Sequence, residues 1–185
     1  MNPIQAVLFD YGMVLSGPPD PAAWARIRAI TGLSEDLLHR EYWAHRHAYD
    51  RGDLTANAYW NKVADGAAIL LTPQQITAAI AADVDLWSQL NTPMLEFAQR
   101  LQQSGIRTGI LSNIGDAMTS GLLAKHLWLN AFYHHTWSYS LNVAKPEQAI
   151  YRHAVEGLQT PAENILFIDD KSENIAAALS VGMST

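Results

Sequence analysis

Apolar and polar positions along this chain follow two different periods. Residues 4–15 read Ile-Gln-Ala-Val-Leu-Phe-Asp-Tyr-Gly-Met-Val-Leu. The apolar run stops at Asp10, Gly12 follows, and apolar residues then resume. This pattern predicts a buried strand with a carboxylate at its carboxyl end and a tight turn behind it. Taken alone, Asp10 reads equally well as a turn cap or as a functional carboxylate. Asp20-Pro21 then marks a helix start. From there to about residue 90 no strand alternation occurs. Helical spacing is found over residues 21–31 (Trp24, Ile27, Ile30), 35–50 (Leu38, Tyr42, Tyr49), 56–70 (Tyr59, Trp60, Val63) and from Thr72-Pro73 through Ile76, Ile80, Val84 and Trp87.

Beyond Thr92-Pro93 the pattern alternates. A helix carries Met94, Phe97 and Leu101, and a buried strand runs from Ile106 to Leu111 and ends in Ser112-Asn113. A helix covers residues 116–127, and a strand is predicted over residues 132–139. A helix begins at Lys145-Pro146 and runs to Gly157. A strand over residues 164–168 ends at Asp169-Asp170, and a last helix spans residues 173–181. Strand and helix in strict turn specify an α/β fold: a Rossmann-like parallel sheet with helices on both faces. Into it is inserted an all-helical unit. The expected division is a core of residues 1–16 and 91–185 and a helical insert of residues 17–90.

Composition narrows the functional classes. The chain has 185 residues, 49% hydrophobic and 16% charged, enough to bury a sizeable core. Its formal charge of −6 comes without any block of Lys or Arg, which argues against nucleic acid or an anionic membrane as partner. A small phosphorylated ligand needs only one or two local cations and stays open. With no cysteine, thiolate metal sites and cysteine nucleophiles are excluded. No signal-peptide pattern or membrane-length apolar run is present, so a cytoplasmic protein is expected. The oligomeric state is not legible.

In a parallel sheet, strand ends gather at one edge, where ligands bind. That edge would collect Asp10, Ser112, Asn113, Lys145, Asp169 and Asp170. Crowded carboxylates need a cation, and a donor set of oxygen alone suits magnesium. A carboxylate can also attack a phosphoryl group, with a lysine and a hydroxyl receiving the phosphoryl oxygens.

These stretches resemble the four motifs of the haloacid dehalogenase-like hydrolases. Val-Leu-Phe-Asp10-Tyr-Gly12 is similar to the first, Gly-Ile-Leu-Ser112-Asn113 to the second, Ala-Lys145-Pro146 to the third, and Ile-Leu-Phe-Ile-Asp169-Asp170-Lys-Ser-Glu-Asn174 to the fourth. The resemblance covers nearly the whole chain. It implies a magnesium-dependent hydrolase of a small phosphate monoester acting through an aspartyl-phosphate at Asp10. Asp10, the Gly12 carbonyl and Asp170, supported by Asp169, would hold Mg2+. Ser112, Asn113 and Lys145 would bind the phosphoryl group. The helical insert would be a mobile cap. The subgroup resembling sugar-phosphate phosphatases and the amino-terminal domain of soluble epoxide hydrolase contains members that look like this chain at the first motif.

The sequence departs from the family pattern at Gly12, where most phosphatases of this kind carry an acid–base aspartate. Loss of such a group lowers rate by about a hundred- to ten-thousand-fold. A slower phosphatase, a metal-independent haloacid dehalogenase and a weakly catalytic binding domain are the three resulting readings. The intact Asp169-Asp170 pair argues against the dehalogenase. His39, His45 and His47 are candidates for an acid–base supplied by the insert, although the seven histidines read mainly as surface or core residues. Trp24, Trp43, Trp60 and Trp87 read as helix packing. Relatives usually continue past a Gly-Met like Gly182-Met183 with another short strand, so either an edge strand is absent or the sequence stops short of its natural end.

Overall fold

The computed structural model describes residues 3–185. Its sheet has four parallel strands: β1 (Ala6–Phe9), β2 (Arg107–Ser112), β3 (His134–Trp137) and β4 (Ile165–Ile168), in the order β3-β2-β1-β4. β1 lies inside, pairing Phe9 with Ile110 on one side and with Ile168 on the other. All four of its residues are buried, as an unbroken apolar run requires. Alternate side chains serve opposite layers. Val7 and Phe9 pack with α6 (Thr92–Gln103) and α7 (Asp116–Lys125). Ala6 and Leu8 pack with α9 (Gln148–Leu158) and α10 (Ser172–Ser180). Ser184 lies beside the outer edge of β4, donating its N–H to Ile165 and accepting from Phe167 (2.9 and 2.8 Å).

Between β1 and α6 run α1 (Pro21–Thr31), α2 (Glu35–Ala44), α3 (Arg46–Arg51), α4 (Ala56–Gly66) and α5 (Pro73–Leu86). They enclose an apolar cluster of their own, with Ile27, Leu38, Tyr42, Tyr49, Tyr59 and Trp60 inside. The starts are capped as the sequence indicates: Asp20 accepts from Ala22, and Thr72 forms a reciprocal capping box with Gln75. Among the described residues no helix is long and apolar enough to cross a membrane.

Four expectations are corrected. The single helix over residues 35–50 is two, broken at His45 (φ −117°, ψ 1°), because Arg46 turns into the interior to meet Asp83 and Tyr42. The helix over 56–70 ends at Gly66: Ala68 takes a left-handed φ of 54°, and the apolar Leu70 is 94% exposed. The strand expected over 132–139 is confined to His134–Trp137, and Ser138–Leu141 forms a single helical turn, α8. Lys145 precedes its helix, which starts at Gln148. Residues 144–147 form a turn closed by Glu147 N–H to Ala144 O (2.8 Å), and the Lys145-Pro146 peptide is cis.

Arg46 is the polar centre of the insert. Its Nη1 donates to both Asp83 oxygens (3.1 and 3.0 Å) and to the Tyr42 hydroxyl, and its Nε donates to Asp50 (3.0 and 3.2 Å). Its guanidinium also lies over the rings of Tyr42, Tyr49 and Tyr59. Removing one member of a buried ion cluster leaves the other charge unpaired. Asp83→Ala is therefore expected to lower stability by about 3 kcal/mol, read as a shifted midpoint in urea unfolding; a change below about 1 kcal/mol would mean Asp50 alone satisfies Arg46.

Candidate active site

Asp10 stands at the end of β1, and its N–H continues the ladder to Ile168 O (2.9 Å). The chain then makes a wide turn over Tyr11–Leu15, closed by Ser16 N–H to Tyr11 O (2.7 Å), with Met13 in the left-handed region (φ 60°). The turn aims the Asp10 carboxylate off the sheet edge. The Tyr11 N–H donates to its Oδ1 (2.7 Å). Lys145 Nζ lies 2.9 Å from the same oxygen.

Lys145 also reaches Asp169 Oδ2 at 2.6 Å, and its side chain is only 2% exposed. Asp169 is fully enclosed. Its other oxygen accepts from the Lys171 N–H and from Asn174 Nδ2, both at 2.9 Å. Asp169 thus joins Lys145 to the first turn of α10. Asn113 fixes the lysine from the other side: its Nδ2 donates to Lys145 O (2.9 Å) and its Oδ1 accepts from Lys145 N–H (2.7 Å). Both ends of the Asn113 amide are engaged with the backbone of Lys145. Ser112 is buried at the end of β2, and its hydroxyl makes no hydrogen bond among the described residues.

Burial pushes the Asp10 carboxyl up to about 6; repulsion from Asp169 adds to the rise, and Lys145 opposes it. A buried carboxylate with one shared lysine is under-neutralised. Asp10, Asp169 and Asp170 each offer an oxygen, all within 4.8 Å of one another. These three acids are set against one lysine, and every donor is oxygen, so the arrangement fits a hard divalent cation. Among the described residues this is the one group of such side chains close enough to hold a metal.

The sequence matches the haloacid dehalogenase-like hydrolase family over residues 4–182. The chain belongs to that family. Drimenol cyclase drtB of Aspergillus calidoustus is 28% identical over 97% of this chain, which spans only 33% of that protein's length. Sesquiterpene phosphatase astK of Aspergillus oryzae is 25% identical, covering 97% of this chain and 87% of its own. A family enzyme from Bacteroides thetaiotaomicron, solved with magnesium and inorganic phosphate, shares the fold with a TM-score of 0.78 at 19% identity, covering 98% of this chain and 92% of that one.

In this haloacid dehalogenase-like fold the sheet edge borders a cavity of about 310 Å³ that is also lined from α2, α3, α7 and Trp87 just beyond α5. Asp10, Gly12, Ser112, Asn113, Lys145 and Asp170 line it, while the enclosed Asp169 stands behind Lys145. Trp43, Trp87, Met118 and Leu122 add apolar lining, and Arg46, His47 and Asp50 add polar lining from α3. Two of the tryptophans expected to pack the helices also line the cavity. Trp60 is buried among the insert helices, but Trp43 is 46% exposed at the cavity, and the Trp87 indole donates to the Tyr42 hydroxyl (3.0 Å) while its ring lines the cavity. Of the candidate histidines only His47 reaches the cavity. His39 lies against Trp24 and Trp43. His134 and His135 diverge, to Thr136 and to Leu129 O.

Sequence reasoning gave no role to Asn174, Lys171, Arg46 or Asp50, all at the cavity. The i,i+4 spacing of Arg46 and Asp50 was the legible signal for that pair.

Lys145→Ala would leave Asp10 and Asp169 buried and facing each other. It is expected to lower unfolding free energy by about 3–5 kcal/mol, with part of the loss restored by millimolar magnesium in a thermal melt; an unchanged melting temperature would show that Lys145 is not what neutralises the pair.

Proposed function

We propose that this chain is a magnesium-dependent hydrolase of phosphate monoesters with an apolar organic group, working through a phosphorylated Asp10. The observation that carries this reading is one cavity lined both by Asp10, Lys145 and Asp170 and by Trp43, Trp87, Met118 and Leu122. Similarity to a sesquiterpene phosphatase and to a fold neighbour solved with magnesium and phosphate supports it.

Asp10, the Gly12 carbonyl and Asp170 would hold the magnesium, with Asp169 bracing Lys145. When bound, the ion would offset the negative charge of the carboxylates and of the phosphoryl oxygens. An Asp10 oxygen attacks phosphorus. Lys145 neutralises charge on the transferring group. The Ser112 hydroxyl positions a phosphoryl oxygen, and Asn113 contributes by holding Lys145. The helices of residues 17–90 act as a cap that excludes water, and their tryptophans receive the organic group. A metal-independent dehalogenase would make no use of the acidic cluster at the edge of β4.

Gly12 offers no acid–base side chain at this position. Its backbone (φ −63°, ψ 130°) is open to any residue, and an added Cβ meets nothing within 4 Å. A side chain there is sterically free.

Release of phosphate from p-nitrophenyl, hexyl and sugar phosphates, with magnesium and with EDTA, tests the reading. Turnover should require the metal, favour the apolar esters and vanish in Asp10→Asn. Gly12→Asp should retain metal-dependent turnover, because a side chain at that position meets no neighbour at its Cβ. A folded protein that turns over no ester in either form would overturn the assignment.

A further inference from the structure

The proposed reaction needs a group that gives a proton to the leaving oxygen and later takes one from water, and Gly12 cannot. Most titratable groups at the cavity are already engaged. Lys145 lies between Asp10 and Asp169. Asp50 accepts from Arg46 Nε on both oxygens, and Arg46 is tied to Asp83 as well. The Tyr11 hydroxyl donates to Trp87 O (3.0 Å). Asp170 belongs to the carboxylate cluster. Lys171 and His47 remain, and Lys171 follows directly on Asp170 of the carboxylate cluster, which leaves His47.

His47 is well placed. It sits on α3 beside Arg46 and three residues before Asp50, and all three line the cavity. Its ring makes no hydrogen bond among the described residues, so no partner holds its proton. α3 is fastened to the core: Arg51 Nε donates to Glu147 (3.2 Å), and the Asp50 carbonyl accepts from the Ser138 hydroxyl. Glu147 lies two residues beyond Lys145. Its carboxyl is held below the ordinary range first by the Ala144 N–H and then by Arg51.

We infer that His47, carried into the cavity by α3, is the acid–base residue that replaces the missing side chain at Gly12. The inference rests on the phosphatase reading. As an Asp10 oxygen bonds to phosphorus and the phosphorus–oxygen bond to the organic group breaks, the imidazolium gives its proton to the departing oxygen. The neutral imidazole then takes a proton from water as that water attacks the phosphorylated Asp10. The Asp10–phosphorus bond breaks, releasing inorganic phosphate and restoring carboxylate and imidazolium. An imidazole can both give and take a proton near neutral pH.

The test compares wild type with His47→Gln on p-nitrophenyl, phenyl and hexyl phosphate in magnesium. A good leaving group needs no acid and a poor one does, so kcat/KM should fall about 100-fold or more on hexyl phosphate and little on p-nitrophenyl phosphate. Slowed hydrolysis should also give His47→Gln a burst of p-nitrophenol close to one per active site. Gly12→Asp in the same background should restore the alkyl ester. Equal losses across the three esters, or none, would overturn the role of His47 while leaving the phosphatase reading intact. Steepened dependence without a burst would overturn its role as base. No turnover by wild type or by Gly12→Asp would overturn the phosphatase reading, and this inference with it.

Discussion

A lysine buried almost to the tip of its side chain is stable only when carboxylates meet its charge. Lys145 has two, Asp10 at 2.9 Å and Asp169 at 2.6 Å, and much of the sheet edge is arranged to keep them there. The strand order is the first condition. With β1 between β2 and β4, the ends of three strands come side by side. The second condition is the pair of hydrogen bonds from Asn113 to the Lys145 backbone, which holds the turn before α9 against β2. The third is the Asn174 amide and the Lys171 N–H, which fix Asp169 at the start of α10. Three acids against one lysine leave a negative balance, and burial raises the Asp10 carboxyl in response. The same deficit makes the site suited to a divalent cation.

The helical insert has its own charge problem and solves it separately. Arg46 is enclosed by aromatic rings and held by Asp83 and Asp50. That network fixes the short helix α3 in a direction that a continuous helix from residue 35 could not take. Arg46, His47 and Asp50 of α3 then line the cavity together with Trp43 and Trp87. Carboxylates, cations and indole rings thus share the lining of one cavity.

The parts of the fold that were legible in the sequence are those governed by local rules. β1 and β4 are short apolar runs ended by carboxylates, and α1 and α5 begin at capping residues followed by proline. The misread parts are those where tertiary contact overrides local pattern. The apolar run 67–71 has helical composition, but Ala68 adopts a left-handed conformation and the helix has already ended. His45 interrupts a good helical pattern, and beyond the break Arg46 meets Asp83, a partner 37 residues away that no local pattern reveals.

The sequence by itself determined which residues could stand at the sheet edge, because strand ends are set by where apolar runs stop. It also determined that Gly12 lacks an acid–base side chain, since that follows from residue identity alone. Tertiary structure alone decided which of the edge residues touch. Asn113 binds the Lys145 backbone, Asp169 is enclosed while Asp170 stays exposed, and His47 rather than His39 or His45 reaches the cavity. Periodicity assigns a residue to a face of its own element, but not the angle at which that element meets another. That angle is set by packing between segments far apart in the chain, here by a buried arginine and a buried lysine seeking their carboxylates.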